Sequence, residues 1–120
     1  MNTVYLAGFD VFLPNAKQRG EDLKAACREF GFTGLFPMDN EAPAGLHGKA
    51  LAQWIFDANI ALIRQSQYLM ANVNNFRGLE PDSGTSFEIG YASALGIPVW
   101  AYTADGRPMV EQIPGRVMPD

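Results

Sequence analysis

The sequence predicts an α/β fold in which a parallel sheet carries helices on both faces. Short apolar runs alternate along the chain with longer segments of helical periodicity, and glycine or proline punctuates the changes. The resulting order is strand, helix, strand, helix, strand, helix, strand. Parallel strands require such crossover segments, and right-handed crossovers place the helices on both faces of the sheet. We therefore expect a three-layer sandwich of the flavodoxin-like or Rossmann-like kind, with four or five strands.

Four apolar runs predict the strands, at residues 4–7, 32–36, 68–73 and 97–102. The first run ends at Gly8 and the second at Pro37. Pro98 lies near the start of the fourth run, where a missing backbone N–H is tolerated. Each run is short enough for a strand in a small sheet.

Helical periodicity predicts three helices, at residues 15–30, 51–63 and 85–95. Gly31 and Gly96 follow the first and third of these and are natural helix stops. Apolar residues recur at helical spacing in the second helix. They are Leu51, Trp54, Ile55, Ala58, Leu62 and Ile63.

Composition excludes several classes of function. A chain of 120 residues is one domain, residues 1–120, and its 48% of apolar and 18% of charged residues are typical of a globular protein. The net charge of −4 and the lack of a basic cluster make nucleic-acid polymers and membranes poor partners. No apolar run is long enough to span a membrane, and the N-terminus does not resemble a secretory signal. We therefore expect a cytoplasmic protein.

The single cysteine and single histidine leave little material for metal or thiol chemistry. Cys27 lies on the apolar face of the first predicted helix and is expected to be a small buried residue. His47 lies in a loop rich in proline and glycine. It is either a solvated residue or, if that loop closes over a site, a ligand contact. We expect neither a metal nor a cofactor.

Glycine or polar residues follow each predicted strand at its carboxyl end. In an open parallel sheet, ligands bind beyond these ends. They should meet the start of the third helix, where Asp82 and Glu88 flank a glycine-containing turn. The sequence therefore predicts a site at this edge, formed by residues 8–10, 37–40, 72–75, 102–103 and 82–88.

Two interpretations of Glu88 are open. A carboxylate in the first turn of a helix is stabilised by the helix dipole and stays ionised, and such a group beside a sugar can attack the anomeric carbon. Alternatively, Thr85 and Glu88 match a capping box, in which Glu88 bonds the backbone N–H of Thr85. Asp82 likewise either caps the turn or accepts a hydrogen bond from a substrate hydroxyl.

The densest motif runs from residue 82 to residue 92 and reads Asp-Ser-Gly-Thr-Ser-Phe-Glu-Ile-Gly-Tyr-Ala. With Tyr-Leu-Ala-Gly at 5–8, Phe-Pro-Met-Asp-Asn at 36–40, Asn59, Ala-Asn-Val at 71–73 and Ala-Leu-Gly-Ile-Pro-Val at 94–99, it resembles the nucleoside 2-deoxyribosyltransferase family. The resemblance covers most of the chain.

The resemblance implies transfer of 2-deoxyribose between nucleobases in two displacement steps. Glu88 would be the nucleophile on C1′, Tyr5 would orient its carboxylate, and Asp82 would hold the 5′-hydroxyl of the sugar. Water in place of the second base would give hydrolysis. The substrates would be a deoxynucleoside and a free nucleobase, with no cofactor or metal.

Further residues would bind substrate on the same resemblance. Gly8 and Phe9 would approach the base, although Phe9 and Phe12 could equally be core residues. Asn59 and Asn72 complete this group. The acid that the family commonly has at the start of the third strand is replaced here by Gln67, which cannot supply a proton in the same way. Asp39 or Asp10 could substitute for it, or the base could be protonated through water.

The family's chains continue past Asp120 and lend their C-terminal tail to a neighbouring subunit. Either this chain lacks that tail, or it completes its site differently. A pocket open at the sheet edge is poorly shielded, so we expect a homodimer or larger homo-oligomer, with contacts from the second helix and Tyr91. Trp54 could instead pack on the sheet. The alternatives to transfer are a nucleoside or nucleotide N-glycosidase and a non-catalytic nucleoside-binding module.

Overall fold

The computed structural model, which describes residues 2–113 and residue 115, shows a parallel α/β fold. The strands are β1 (Thr3–Ala7), β2 (Thr33–Leu35), β3 (Tyr68–Asn72) and β4 (Val99–Tyr102). The helices are α1 (Ala16–Glu29), α2 (Gly48–Gln65), α3 (Ser83–Ala94) and the one-turn α4 (Met109–Gln112). None of these helices in the described part of the chain is long and apolar enough to cross a membrane.

The described strands form one sheet in the order β2-β1-β3-β4, and all neighbouring pairs are parallel. Val4 lies opposite Gly34 on one side and Tyr68 on the other, and Ala71 lies opposite Ala101. Because the strands are parallel, their carboxyl ends share one edge of the sheet. The predicted fold class is confirmed, with four strands in the described residues.

One face of the sheet carries α2 and α3. Alternate residues of the two central strands point to this face, as the period of two in a strand requires. Tyr5 and Leu69 are fully buried there. The whole buried cluster is Tyr5, Ala7, Leu62, Ile63, Leu69, Ala71 and Ala92.

The other face is covered by α1 over β1 and β2 alone. Val4 and Leu6 pack there with Phe36, and the half-buried Cys27 lies against this cluster, consistent with a packing role. Over β3 and β4 none of the described elements covers this face, which forms an apolar groove of about 560 Å³. Trp100 of β4 is consequently 64% exposed, which is unusual for a parallel strand because both faces of such strands are normally buried.

Element boundaries differ from the predicted ones where the sequence lacks periodicity. Two short 3-10 helices, Phe9–Phe12 and Pro37–Asp39, follow β1 and β2 and were not predicted, because one turn is too short to show a hydrophobic period. Helix α2 begins at Gly48, before the first apolar residue of its pattern. Strand β4 begins at Val99, after Pro98 rather than at residue 97.

Candidate active site

A cavity of about 490 Å³ lies at the carboxyl edge of the sheet, between α2 and the start of α3. The turn after β1 forms a third side and the segment after β2 a fourth. Its position is the one expected for a ligand site in an open parallel sheet. The lining residues are Gly8, Val11, Phe12, Lys17, Pro37, Met38, Asn40, Glu41, Ala42, Trp54, Ile55, Ala58, Asn59, Asp82, Gly84 and Glu88.

The structure joins Tyr5 and Glu88, which lie 83 residues apart in the sequence. The Tyr5 hydroxyl donates a hydrogen bond of 2.7 Å to Glu88 Oε2. Tyr5 is fully buried on the face of β1 that supports α3, so its ring is fixed by packing. Glu88 is half-buried and lines the cavity. A carboxylate is thus held by a rigid donor at the wall of an open space.

The pKa of Glu88 is raised from its ordinary value to about 7, mainly by burial, with a smaller contribution from the nearby Asp82 charge. The Tyr5 hydrogen bond acts in the opposite direction, because it stabilises the ionised carboxylate. Burial also raises the pKa of Tyr5, with the Glu88 charge adding to the effect, so the phenol remains the proton donor of the pair.

The expected position of Glu88 in the helix was wrong. Helix α3 begins one residue after its N-cap Asp82, which places Glu88 in the second turn rather than the first. The dipole argument for a permanently ionised Glu88 therefore fails, because that effect is confined to the first turn. The backbone N–H of Thr85 is bonded by Asp82 rather than by Glu88, so the Thr85–Glu88 capping box does not form.

Asp82 is the N-cap of α3. Its Oδ2 accepts hydrogen bonds from the backbone N–H of Thr85 at 2.9 Å and from the Thr85 hydroxyl at 3.0 Å. Thr85 is itself buried, which fixes the cap against the protein interior. Asp82 also lines the cavity, so capping does not remove it from the site. A carboxylate has further lone pairs that can accept a hydroxyl.

Gly8, at the end of β1, lines the cavity as expected. A Cβ at this position would lie 2.5 Å from Asp10 Oδ2 and 2.7 Å from Asn72 Cβ, so only glycine fits without displacing its neighbours. Asp10 and Asn72 are buried behind it: Asn72 Nδ2 donates to Asp10 at 3.2 Å, and Arg19 pairs with Asp10 at 3.1 Å. Asp10 and Asn72 therefore support the cavity wall from behind and do not line the cavity.

The other predicted site residues lie at varying distances from the cavity. The rings of Phe9 and Phe12 both stack on the ring of Phe76, at centroid distances of 5.3 Å for Phe9 and 5.5 Å for Phe12. Phe12 lines the cavity and Phe9 does not. The Asp39 carboxylate accepts a hydrogen bond of 2.8 Å from the backbone N–H of Phe36 and forms a salt bridge with Lys24. Asp39 does not line the cavity.

Gln67 lies at the opposite edge of the sheet. It precedes β3, and its Oε1 accepts the backbone N–H of Thr3, the first residue of β1, at 2.7 Å. The start of a parallel strand is separated from the carboxyl edge by the whole strand length. The structure therefore does not bring Gln67 to Glu88.

Asn59 on α2 lines the cavity. The helical pattern did not indicate that Trp54 and Ala58 line the cavity, because their spacing is equally typical of a helix face packed on the sheet. Lys17 was also missed. Ile55, which also lines the cavity, lies one turn before Asn59, and Trp54 lies one turn before Ala58. This spacing is the signal that could have found these residues of α2.

No group of three or more histidine, cysteine, aspartate or glutamate side chains in the described residues is placed to hold a metal ion.

Comparison with known proteins identifies the family. The family model described as nucleoside 2-deoxyribosyltransferase matches residues 4–118. The chain belongs to the nucleoside 2-deoxyribosyltransferase family. A curated relative, an uncharacterized protein of Schizosaccharomyces pombe, is 32% identical over 117 residues, which is 92% of this chain. The chain spans about half the length of that relative, 54%.

Solved structures of other proteins share the deoxyribosyltransferase-family fold. A structure described as a 2-desoxiribosyltransferase from Leishmania mexicana has a TM-score of 0.78 and 36% identity, covering 93% of this chain and 71% of its own. A conserved protein from Enterococcus faecalis V583 has a TM-score of 0.67 and 27% identity, covering 84% and 62%. A 2-deoxyribosyltransferase from Bacillus psychrosaccharolyticus, at 20% identity and a TM-score of 0.71 over 88% and 75%, shows the fold alone.

Proposed function

We propose that this protein transfers 2-deoxyribose between nucleobases, with Glu88 as the covalent nucleophile. The single observation that carries the proposal is the Tyr5–Glu88 pair, a carboxylate held at 2.7 Å by a buried phenol and lining a cavity of about 490 Å³. Membership of the nucleoside 2-deoxyribosyltransferase family supports the same reaction. The buried donor fixes one oxygen, so the other is free to face the sugar.

The reaction proceeds in two displacements. The free oxygen of ionised Glu88 attacks C1′, the C1′–N bond breaks, and the base leaves with the bonding electron pair. A ring nitrogen of a second base then attacks C1′, the bond from C1′ to the Glu88 oxygen breaks, and the carboxylate is restored. The first base gains one proton and the second loses one, so the exchange is balanced overall.

Proton transfer to the departing base is assigned to water in the open cavity. Asp10 and Asp39 are engaged with Arg19 and Lys24 and do not line the cavity. Gln67 lies at the far edge of the sheet. Water in the same cavity also competes with the second base as acceptor, so slow hydrolysis accompanies transfer.

Asp82 is proposed to hold the 5′-hydroxyl of the sugar while it caps α3. It lies six residues before Glu88 on the same wall of the cavity, together with Gly84. The Asp82 negative charge would repel a 5′-phosphate, which favours nucleosides over nucleotides.

The decisive experiment incubates the protein with a 2′-deoxynucleoside, with and without a second free base, and separates the products by chromatography. We expect a new deoxynucleoside only when the second base is present. Free base alone would identify an N-glycosidase, and neither product would identify a binding module. Intact-mass spectrometry should show a deoxyribosyl adduct on the wild type.

The matched variants are Glu88→Gln and Glu29→Gln. Glu88→Gln removes the nucleophile and keeps its size, so turnover should fall by at least about a thousandfold and the adduct should vanish. Glu29 is an exposed residue at the end of α1, and its variant should behave as the wild type. Full turnover by Glu88→Gln would remove the covalent mechanism.

The protein is also proposed to form a homo-oligomer through an aromatic patch, defined as Phe56, Phe87 and Tyr91. The Phe87 ring lies between the other two: it is tilted against Phe56, with centroids 5.6 Å apart, and stacked on Tyr91, with centroids 6.0 Å apart. Phe56 and Phe87 are 47% and 48% exposed. Ile55, the neighbour of Phe56, is exposed and lines the cavity, so a second copy seated on this patch would lie at the cavity rim.

A further inference from the structure

Lys17 is the one cationic side chain among the described residues that line the cavity. Three carboxylates line the same space, those of Glu41, Asp82 and Glu88. Lys17 is an exposed residue in the first turn of α1. A negative charge that forms inside the cavity therefore meets several like charges and a single opposite one.

The acids that follow Lys17 on its own helix are engaged with other partners. Glu21, one turn further along α1, lies 3.7 Å from Lys24 Nζ. Asp22 accepts a hydrogen bond of 2.8 Å from Gln18. Lys17 forms no salt bridge with any of the described residues, so its ammonium is available to a charge in the cavity.

Lys17 and Glu88 reach the cavity from opposite faces of the sheet. Helix α3, which carries Glu88, packs on one face, and α1 covers the other. Lys24, two turns after Lys17 on the same side of α1, pairs with Asp39 in the segment after β2. Lys17 therefore lies on the side of the cavity formed by that segment, away from the α3 wall.

The proposed reaction moves one negative charge across the cavity. Ionised Glu88 becomes a neutral ester as its oxygen bonds C1′, and the electron pair of the C1′–N bond passes to the ring nitrogen of the departing base. The base carries this charge until it takes a proton from water, and the second base returns a proton to water as it attacks. With the sugar held on the α3 wall by Asp82 and Glu88, the base lies on the Lys17 side.

We propose that the Lys17 ammonium stabilises the negative charge that develops on the departing base. A cavity of about 490 Å³ is roughly 10 Å across, about the Debye length at 0.1 M salt, so salt screens the ammonium little from a base inside it. A bound base also displaces water, which strengthens the attraction. The inference rests on the proposed function for its leaving group, and it confines the benefit of Lys17 to nucleosides whose base departs as an anion.

The test compares two nucleosides that differ in the charge of the departing base. Hypoxanthine leaves 2′-deoxyinosine as an anion, whereas the cationic base of 7-methyl-2′-deoxyguanosine leaves as a neutral molecule. Release of the base is followed in a single turnover, with the protein in excess and no acceptor base, so that the first displacement alone is measured.

The variant Lys17→Met keeps an unbranched apolar stem and removes the charge. It should slow release from 2′-deoxyinosine by about tenfold or more, because the anion loses its cationic partner. Release from 7-methyl-2′-deoxyguanosine should stay within about twofold of the wild-type rate, since no negative charge develops on that base.

Two further variants are the controls. Lys17→Arg keeps the positive charge and should release hypoxanthine within about threefold of the wild-type rate. Lys49 is an exposed lysine in the first turn of α2 that does not line the cavity, so Lys49→Met should behave as the wild type with both nucleosides.

Unchanged release from 2′-deoxyinosine in Lys17→Met would overturn the inference. An equal loss with both nucleosides, or an equal loss in Lys17→Arg and Lys17→Met, would also overturn it, because the effect would then not follow charge. Base release by the wild type that never leads to transfer when a second base is added would reject the transferase, and the Lys17 comparison would still hold. Release of neither base by the wild type would overturn both proposals.

Discussion

At the scale of single residues, the energetics of Glu88 are set by the cost of ionising it beside the protein core. Burial favours the neutral acid, and the Tyr5 hydroxyl recovers part of the cost by donating to the carboxylate. The resulting pKa of about 7 leaves the group divided between its two forms near neutral pH. The proposed nucleophile is therefore available at neutral pH and becomes more so as pH rises.

The pKa of Glu88 predicts a pH-dependent cost in stability. Its folded-state pKa of about 7 lies above the ordinary value of 4.5, so the folded protein binds more protons than the unfolded chain between these values. The free energy of unfolding contributed by Glu88 must then fall as pH rises through this window and stay low above it. Relative to wild type, Glu88→Gln should gain on the order of 2 kcal/mol between pH 4.5 and 8.

Chemical denaturation of both proteins at several pH values measures this difference. Glu29→Gln, which changes an exposed carboxylate, should show no such trend. A difference between Glu88→Gln and wild type that stays constant from pH 4.5 to 8 would mean that Glu88 titrates as an ordinary exposed acid.

At the scale of elements, the start of α3 shows what the sequence could and could not decide. Asp82 and Thr85 are both good N-cap residues, and each has a residue three positions later that can complete a cap. Local sequence therefore left two helix starts open. In the structure Glu88 accepts from the Tyr5 hydroxyl of β1, and Asp82 accepts from the backbone N–H of Thr85, so the helix begins after Asp82. Because Tyr5 and Glu88 lie 83 residues apart, the sequence around the start of α3 does not indicate their contact.

The two roles of Asp82 can be separated by substitution. Asn is as good an N-cap as Asp, so Asp82→Asn should keep the free energy of unfolding nearly unchanged, whereas Asp82→Ala should lose about 1 kcal/mol. If Asp82 also holds the 5′-hydroxyl, Asp82→Asn should lower kcat/KM roughly tenfold, because a neutral acceptor replaces a charged one.

A 5′-deoxy analogue of the substrate provides the control. It lacks the hydroxyl, so wild type and Asp82→Asn should turn it over equally. An equal loss with both substrates would place the effect of Asp82 in the helix and not in substrate binding.

The predicted elements were correct in type and order, because each long helix carries its own periodicity and each strand is a short apolar run. The elements that shape the cavity were harder to foresee. The turns at Phe9–Phe12 and Pro37–Asp39 are single 3-10 turns, and the polar first turn of α2 at Gly48 has no apolar mark. The two 3-10 turns form part of the cavity wall, so the cavity could be predicted at the correct sheet edge but the shape of its walls could not.

At the scale of the whole molecule, strand direction decides which predicted residues can meet. Tyr5, Gly8, Asp82 and Glu88 lie toward one edge because all four strands run the same way. The same rule carries Gln67 to the opposite edge, since it precedes its strand. The parallel sheet was predicted, but Gln67 was assigned by resemblance rather than by tracing its position along β3.

The described residues leave two apolar surfaces exposed, on opposite faces of the sheet. One is the groove over β3 and β4, where Trp100 and Phe30 are exposed. The other is the aromatic patch of Phe56, Phe87 and Tyr91, beside which Arg64 donates to the Tyr91 hydroxyl at 2.7 Å. The aromatic patch adjoins the rim of the cavity through Ile55. The groove shares no lining residue with the cavity.

The proposed oligomer predicts different results for two exposed phenylalanines. Aromatic side chains are enriched at the cores of interfaces, and a two-fold contact buries the same patch on both copies. A charge placed at Phe87 would be buried twice in such a contact. Phe87→Glu should therefore shift the protein to monomers in sedimentation velocity at concentrations where the wild type is a dimer or larger. Phe30→Glu, on the opposite face, should leave the assembly intact.

Catalysis adds a second measurement to the same pair of variants. A neighbouring copy at Ile55 would shield the cavity from water, so dissociation should raise the share of hydrolysis relative to transfer in Phe87→Glu but not in Phe30→Glu. A monomeric wild type, or dissociation by Phe30→Glu alone, would show that the aromatic patch does not hold copies together. In that case the cavity walls of a single copy would decide whether the sugar bonded to Glu88 is transferred to a second base or to water.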